Sequence, residues 1–253
     1  MKPFLSQSKI LYEKIRSNFI WIGVFGIAMG ALEAIVVVYL RQIYYPTGFE
    51  FPLKFIDPKM VMVEWLREIA TILMLVAVGI ITGKNRLEKF SYFLYAFAIW
   101  DIFYYLWLFI LLGWPSSLFT WDILFLIPVT WIGPVLAPVI CSFTMILLSV
   151  VFIFNKSAKS ELKLKSVEWG LLFSGVILIL YTFMSDFLGI IIQESKITGF
   201  SSLSENEHFM TTIQNFTPEY YNWIVFSMGE ILILIAAMLI FRRGQKKYSG
   251  MDF

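Results

Sequence analysis

The chain has one cysteine and one histidine in 253 residues, and only 15% of its side chains are charged. A lone thiol, Cys141, rules out a disulfide framework within the chain. A lone imidazole, His208, rules out bis-histidine haem and the usual histidine-rich metal sites. There is no CxxCH haem-attachment motif and no GxxxxGK[ST] phosphate loop. A soluble domain of this length needs more charge to cover its surface. What the chain has instead is apolar: 59% hydrophobic and 18% aromatic, with a mean hydropathy of +0.76. Runs of about 20 apolar residues, the length that crosses a bilayer, recur along it. The expectation is an all-α membrane protein with one transmembrane domain and the lipid bilayer as its first partner.

Six spans are predicted, at about 19–41, 58–83, 91–113, 133–154, 167–191 and 218–241. The first apolar run continues past Tyr39 without a small-residue cleavage site, so it reads as a retained span rather than a signal peptide. Within it Gly23, Gly26, Gly30 and Ala34 recur at helical spacing and make one face smooth enough for close helix packing. Asp57-Pro58 is a good helix start, with a carboxylate N-cap and proline at the first position. Thr217-Pro218-Glu219 reads as the start of the last helix.

Charge along the chain sets the topology. Lys and Arg gather on the cytoplasmic side of short loops. Fifteen of the 20 basic residues fall in four segments, at 1–18, 84–89, 155–166 and 242–247. Placing all four on one side puts both termini in the cytoplasm and makes the stretch from Leu118 to Asn155 cross an odd number of times. That stretch is too long for one ordinary span and is broken by Pro128, Pro134 and Pro138. The expectation is one crossing preceded by a half-helix or re-entrant piece at 118–132. The alternative is a single long, kinked helix. Broken backbone at membrane depth is tolerated only where protein or water covers it, so the piece is a candidate cavity wall.

Charged side chains within the spans are few, and by helical rise they share the outer half of the membrane. They are Glu33, Glu64, Arg67, Glu68, Asp101, Asp186 and Glu230, with Arg41 at the rim and Asp122 at the mouth of the broken piece. A lone charge at mid-bilayer costs about 2.5–3.5 kcal/mol. Carboxylates in such numbers should therefore face one another or water. Arg67 and Arg41 are too few to pair with them, so protons, a cation or a cationic ligand must balance the rest. Spacing supports convergence: Glu64, Arg67 and Glu68 share a helical face, as do Asp101 and Tyr105, and Ser227 and Glu230. Arg67 is expected to pair with a carboxylate from another span. The structural alternative is a set of ion pairs that only lock helices together.

Weaker signals have plainer readings. His208 is an ordinary exposed loop histidine, and Cys141 is a small core hydrophobe. Trp65, Trp114, Trp121 and Trp223 fit an outer aromatic belt, and Trp21 and Trp169 an inner one. Ser6-x-x-Lys9 matches a nucleophile motif by chance, since no companion motif accompanies it. No cofactor is evident, and catalytic and metal roles are left open.

The runs LEAIVVVYLRQIYYPTGFEFPL (32–53), EWLREIATILML (64–75) and WDIFYYLWLFILLGWPSSLFTWDILFLIPVTWIGPVLAP (100–138) resemble a group of bacterial integral membrane proteins of unassigned function. The likeness covers about the first 140 residues and includes Glu33, Arg41, Arg67, Glu68, Asp101 and Asp122. It implies the architecture and a bacterial inner-membrane setting, and carries over no catalytic role.

Three functions compete. The first is an outward-facing, carboxylate-rich intramembrane cavity that binds or transports a cation, a proton or a small polar ligand. The second is an accessory subunit of a larger membrane complex; a homo-oligomer is the other expected partner, since six spans are few for a transporter monomer. The third is an enzyme at the outer leaflet, with Asp101 or Glu33 as general base and Asp122 near the mouth. Nucleic acid is not among the expected partners, because topology accounts for the basic clusters.

Overall fold

The structure of the protein, a computed structural model, describes residues 2–54, 56–155, 163–198, 211–213 and 215–249; for 2–8, 11, 194–198 and 246–249 it describes the backbone alone. His208, with Asn206 and Glu207, lies outside the described residues, as does the side chain of Ser6. Six long helices are found among the described residues: α1 Lys2–Tyr44, α2 Pro58–Thr82, α3 Arg86–Leu112, α4 Leu136–Phe154, α5 Ser166–Thr198 and α6 Trp223–Ser249. All six contain a stretch apolar and long enough to cross a membrane, so the chain is an all-α, multi-pass membrane protein with six spans.

Local chemistry sets the helix ends. The Asp57 side chain accepts from the Lys59 amide at 2.7 Å, and Pro58 takes the first position of α2. Helix α3 starts at Arg86, earlier than the expected 91, because the turn KNRLEK is also a cap. Asn85 accepts from the Glu88 amide at 3.0 Å while Glu88 accepts from the Lys84 amide at 2.9 Å. Gly113, at φ +65°, ends α3 in a left-handed conformation that glycine adopts without a Cβ clash. Helix α6 starts at Trp223, later than Thr217-Pro218-Glu219 predicts. The Asn222 side chain accepts from the Val225 amide at 3.1 Å and starts the helix there. At its other end of the chain, α1 runs through the basic arm as continuous helix from Lys2.

Helix α3 is the centre of the bundle, packed on α1, α2 and α4, while α5 and α6 pair with each other and α6 also packs on α4. The glycine stripe of α1 seats on α3. A Cβ at Gly26 would stand 2.9 Å from Ile99 Cγ2, and one at Gly30 would stand 2.9 Å from the Trp100 carbonyl oxygen. Gly175 and Gly229 make the same kind of contact between α5 and α6, each facing the other's carbonyl oxygen. The core follows this division. Ile22, Met29, Leu75 and Ala96 fill one cluster, and Leu148, Phe152, Ile179, Phe226 and Ile233 belong to the other.

The connection from α3 to α4, expected as a half-helix or re-entrant piece at 118–132, contains a strand pair and no helix over those residues. Residues Trp121–Phe125 (β1) and Trp131–Pro134 (β2) form an antiparallel hairpin, with Asp122 opposite Gly133 and Ile123 opposite Ile132. Pro128 disfavours a helical Ile127, and Pro134 would remove another helix donor, so helix cannot propagate through the segment. A hairpin pairs most of its own backbone, which a buried irregular segment must do somehow. It folds onto the helices with Asp122 and Ile132 buried.

Candidate functional site

The hairpin closes one end of the bundle, where the C-terminal end of α1, the N-terminal half of α2 and the C-terminal half of α3 meet. This is the end remote from the basic 84–89 turn. A cavity of about 140 Å³ lies there, and its lining includes Glu33, Arg41, Glu64, Arg67, Glu68, Asp101, Tyr105 and Asp122. Eight of the ten residues singled out in the sequence thus share one space. Asp186 is not among them: it sits half-buried on α5, with the Ser185 hydroxyl 3.5 Å from its Oδ1. Glu230 lies on the wall of a second, apolar cavity. Ser227, expected on its face, is exposed, and the hydroxyl that donates to Glu230 comes from Thr144 of α4, at 2.6 Å.

Each arginine already has carboxylate partners. Arg67 pairs with Glu33 across the α1–α2 divide and donates from Nε to Glu64 at 2.7 Å on its own helix. Thr71, one turn further along α2, donates to the other Glu33 oxygen at 3.4 Å. Arg41 reaches the hairpin, where its Nη2 donates to Asp122 Oδ1 at 3.3 Å. Both are deeply buried, at 8% and 2% exposure, so removing one partner would strand a charge away from water. The Arg41 guanidinium lies over two rings, 3.7 Å from the Trp114 centroid and 4.6 Å from that of Phe49. Trp114 is therefore a cover for Arg41, where an interfacial belt position is expected from the sequence. Trp65 and Trp21, by contrast, are exposed on the outer surface of the bundle.

Two carboxylates face the cavity with neutral donors only. Both oxygens of Glu68 accept from the Leu126 amide, at 3.0 Å each, which ties the hairpin to α2. Asp101 accepts from the Ser142 hydroxyl of α4 at 2.8 Å. Asp122, which lies outside the spans, has its carboxyl pushed up to about 7 by burial, against the opposing pull of Arg41.

Sequence reasoning missed several partners. Tyr104, Tyr44 and Tyr45 also line the cavity, and Tyr45 is anchored by accepting from the Lys54 amide at 2.8 Å. Ser142 and Thr144 serve Asp101 and Glu230, yet they sit in an apolar run with nothing to mark them. The Glu168–Arg243 pair, at 3.0 and 2.7 Å, joins α5 to α6 at the far end. Its signal was the glutamate three residues into α5, where it caps the Lys165 amide at 2.7 Å.

Chemically, the cavity offers acceptors in excess, two charge-paired arginines and four tyrosine rings. Comparison with protein-family models, with curated proteins and with solved structures finds no match to this chain.

Proposed function

We propose that this integral membrane protein uses the cavity beneath the hairpin to bind, and in the fuller reading to move, a small cationic ligand or protons. One observation carries the reading. Five carboxylates line the space against two arginines: Glu33 and Glu64 share Arg67, Asp122 takes Arg41, and Glu68 and Asp101 form no ion pair. Two uncompensated carboxylates at this depth would together cost about 5–7 kcal/mol, so they hold protons or meet a cation. Their hydrogen-bond donors are neutral, hairpin amides for Glu68 and the Ser142 hydroxyl for Asp101. That arrangement suits a polyatomic cation or a proton better than the tight oxygen cage a metal ion needs. Among the described residues no three such side chains converge as a metal site. The positive-inside rule supports an outward-facing cavity, and the resemblance of the runs at 32–53, 64–75 and 100–138 supports a bacterial inner membrane as its setting.

The test uses the protein in lipid nanodiscs, with methylguanidinium as the cation probe and infrared bands of protonated carboxyls as the proton probe. The expected result is a binding or titration signal that Glu68→Gln and Asp101→Asn each reduce at least about tenfold, with expression and folding retained. Wild-type protein silent to both probes, or variants that match wild type in both, would remove the reading.

A further inference from the structure

A second cavity, of about 420 Å³, lies between α3, α4, α5 and α6, on the far side of a wall made by Trp100, Asp101, Leu124 and Phe125. It differs in kind from the first. Its lining is almost wholly aliphatic and aromatic, and it is large enough for a compact organic molecule. Phe90 of α3 and Trp169, Phe173 and Val176 of α5 contribute to that lining while remaining 39–60% exposed on the lipid-facing surface. The cavity therefore opens sideways toward the bilayer, between α3 and α5.

Polar side chains are few in this apolar wall: Asp101 on the side shared with the first cavity, Thr144 and Glu230. Glu230 is buried, at 6% exposure, and its Oε2 accepts from Thr144. Its Oε1 is buried with no nitrogen or oxygen partner, and the Cys141 thiol, a weak donor, is the group that interacts with this carboxyl from α4. A carboxyl oxygen in hydrocarbon surroundings with at most a thiol as donor is costly.

We propose that this cavity binds a lipid-soluble molecule with an apolar body and a hydroxyl group, which enters from the bilayer between α3 and α5 and meets Glu230 Oε1. A hydroxyl suits the site because it both donates and accepts. It satisfies Oε1 as an acceptor when Glu230 is ionised, or serves a protonated Glu230 as an acceptor in turn. Two sources share this chemistry, a phenolic lipid of the quinol type and a long-chain alcohol.

The experiment is native mass spectrometry of the full chain released from nanodiscs, with decylubiquinol, 1-dodecanol, dodecylamine and the dimethyl ether of decylubiquinol as probes. One bound hydroxyl compound per chain is expected, and its identity as phenol or alcohol names the source. The ether should bind about tenfold more weakly than decylubiquinol if the phenol is the source, the scale of one hydrogen bond to a buried carboxyl. Glu230→Ala should weaken the bound compound to the same degree. Val176→Phe, which fills the lipid-facing opening, should exclude it whether or not Glu230→Ala folds. Glu68→Gln should leave it unchanged, which separates this site from the acid-rich cavity. Binding of dodecylamine alone, no binding of either hydroxyl compound, ether binding equal to that of a bound decylubiquinol, or indifference to Val176→Phe would each overturn the proposal.

Discussion

Arg41 and Asp122 stand 81 positions apart in the chain and 3.3 Å apart in the fold, and between them they pin the α3–α4 hairpin to the end of α1. The pair is buried under Trp114 and Phe49. Breaking it from one side should be severe: Arg41→Met should lower stability by about 3–5 kcal/mol, because it leaves Asp122 buried without its cation. Arg41→Met combined with Asp122→Leu should recover most of that loss. Thermal unfolding in nanodiscs gives both numbers. Equal losses in the single and double variants would show that the pair itself contributes little.

The same aspartate should carry a pH signature. Its folded carboxyl titrates near 7, well above the ordinary aspartate value, so the folded state holds a proton that the unfolded chain releases. Stability contributed at this residue is therefore greatest below about pH 4 and declines as pH rises toward 7. Asp122→Asn should flatten that part of the stability profile. The check is the difference between wild-type and variant unfolding curves from pH 4 to 8, and parallel curves would contradict it.

Glu68 is the second anchor of the hairpin. Glu68→Gln keeps a carbonyl oxygen for the Leu126 amide, whereas Glu68→Ala leaves that amide without its acceptor. Hydrogen exchange at 121–134 should rise by roughly five- to tenfold in the alanine variant and change little in the glutamine one, the range expected for one hydrogen bond. Similar exchange in both variants would mean that the hairpin is held by its other contacts.

Close packing of α1 on α3 should be sensitive to a single methyl group. Gly30→Ala drives a Cβ to within 2.9 Å of the Trp100 carbonyl oxygen and 3.0 Å of the Tyr104 amide, neither of which can rotate away. The expected loss is about 1–3 kcal/mol. Gly170→Ala, with nothing within 4 Å of the added carbon, should be neutral or slightly stabilising. Thermal unfolding of the two variants side by side distinguishes packing from a general intolerance of glycine substitution.

Glu33, Arg67, Glu68, Asp101 and Asp122 line one cavity. Helical rise converts residue number into depth, and a buried charge is costly wherever it lies. Depth alone does not give azimuth, however. Asp186 on α5 and Glu230 on α6 stay out of the α1–α2–α3 space, one beside Ser185 and the other in an apolar wall.

Hydropathy, proline placement and caps such as Asp57-Pro58 determined by themselves that six helices cross the membrane and that α2 begins at Pro58. These are local properties: a run of apolar side chains, a missing amide or a capping carboxylate acts on its own stretch of backbone. Tertiary structure decided that the broken segment is a hairpin rather than a half-helix, and that Arg41 faces Asp122 under a tryptophan. It also decided that two cavities, one acidic and one apolar, share the wall at Asp101. Those outcomes depend on which helix faces pack against α3, and no single stretch of sequence carries the rotation of one helix about another.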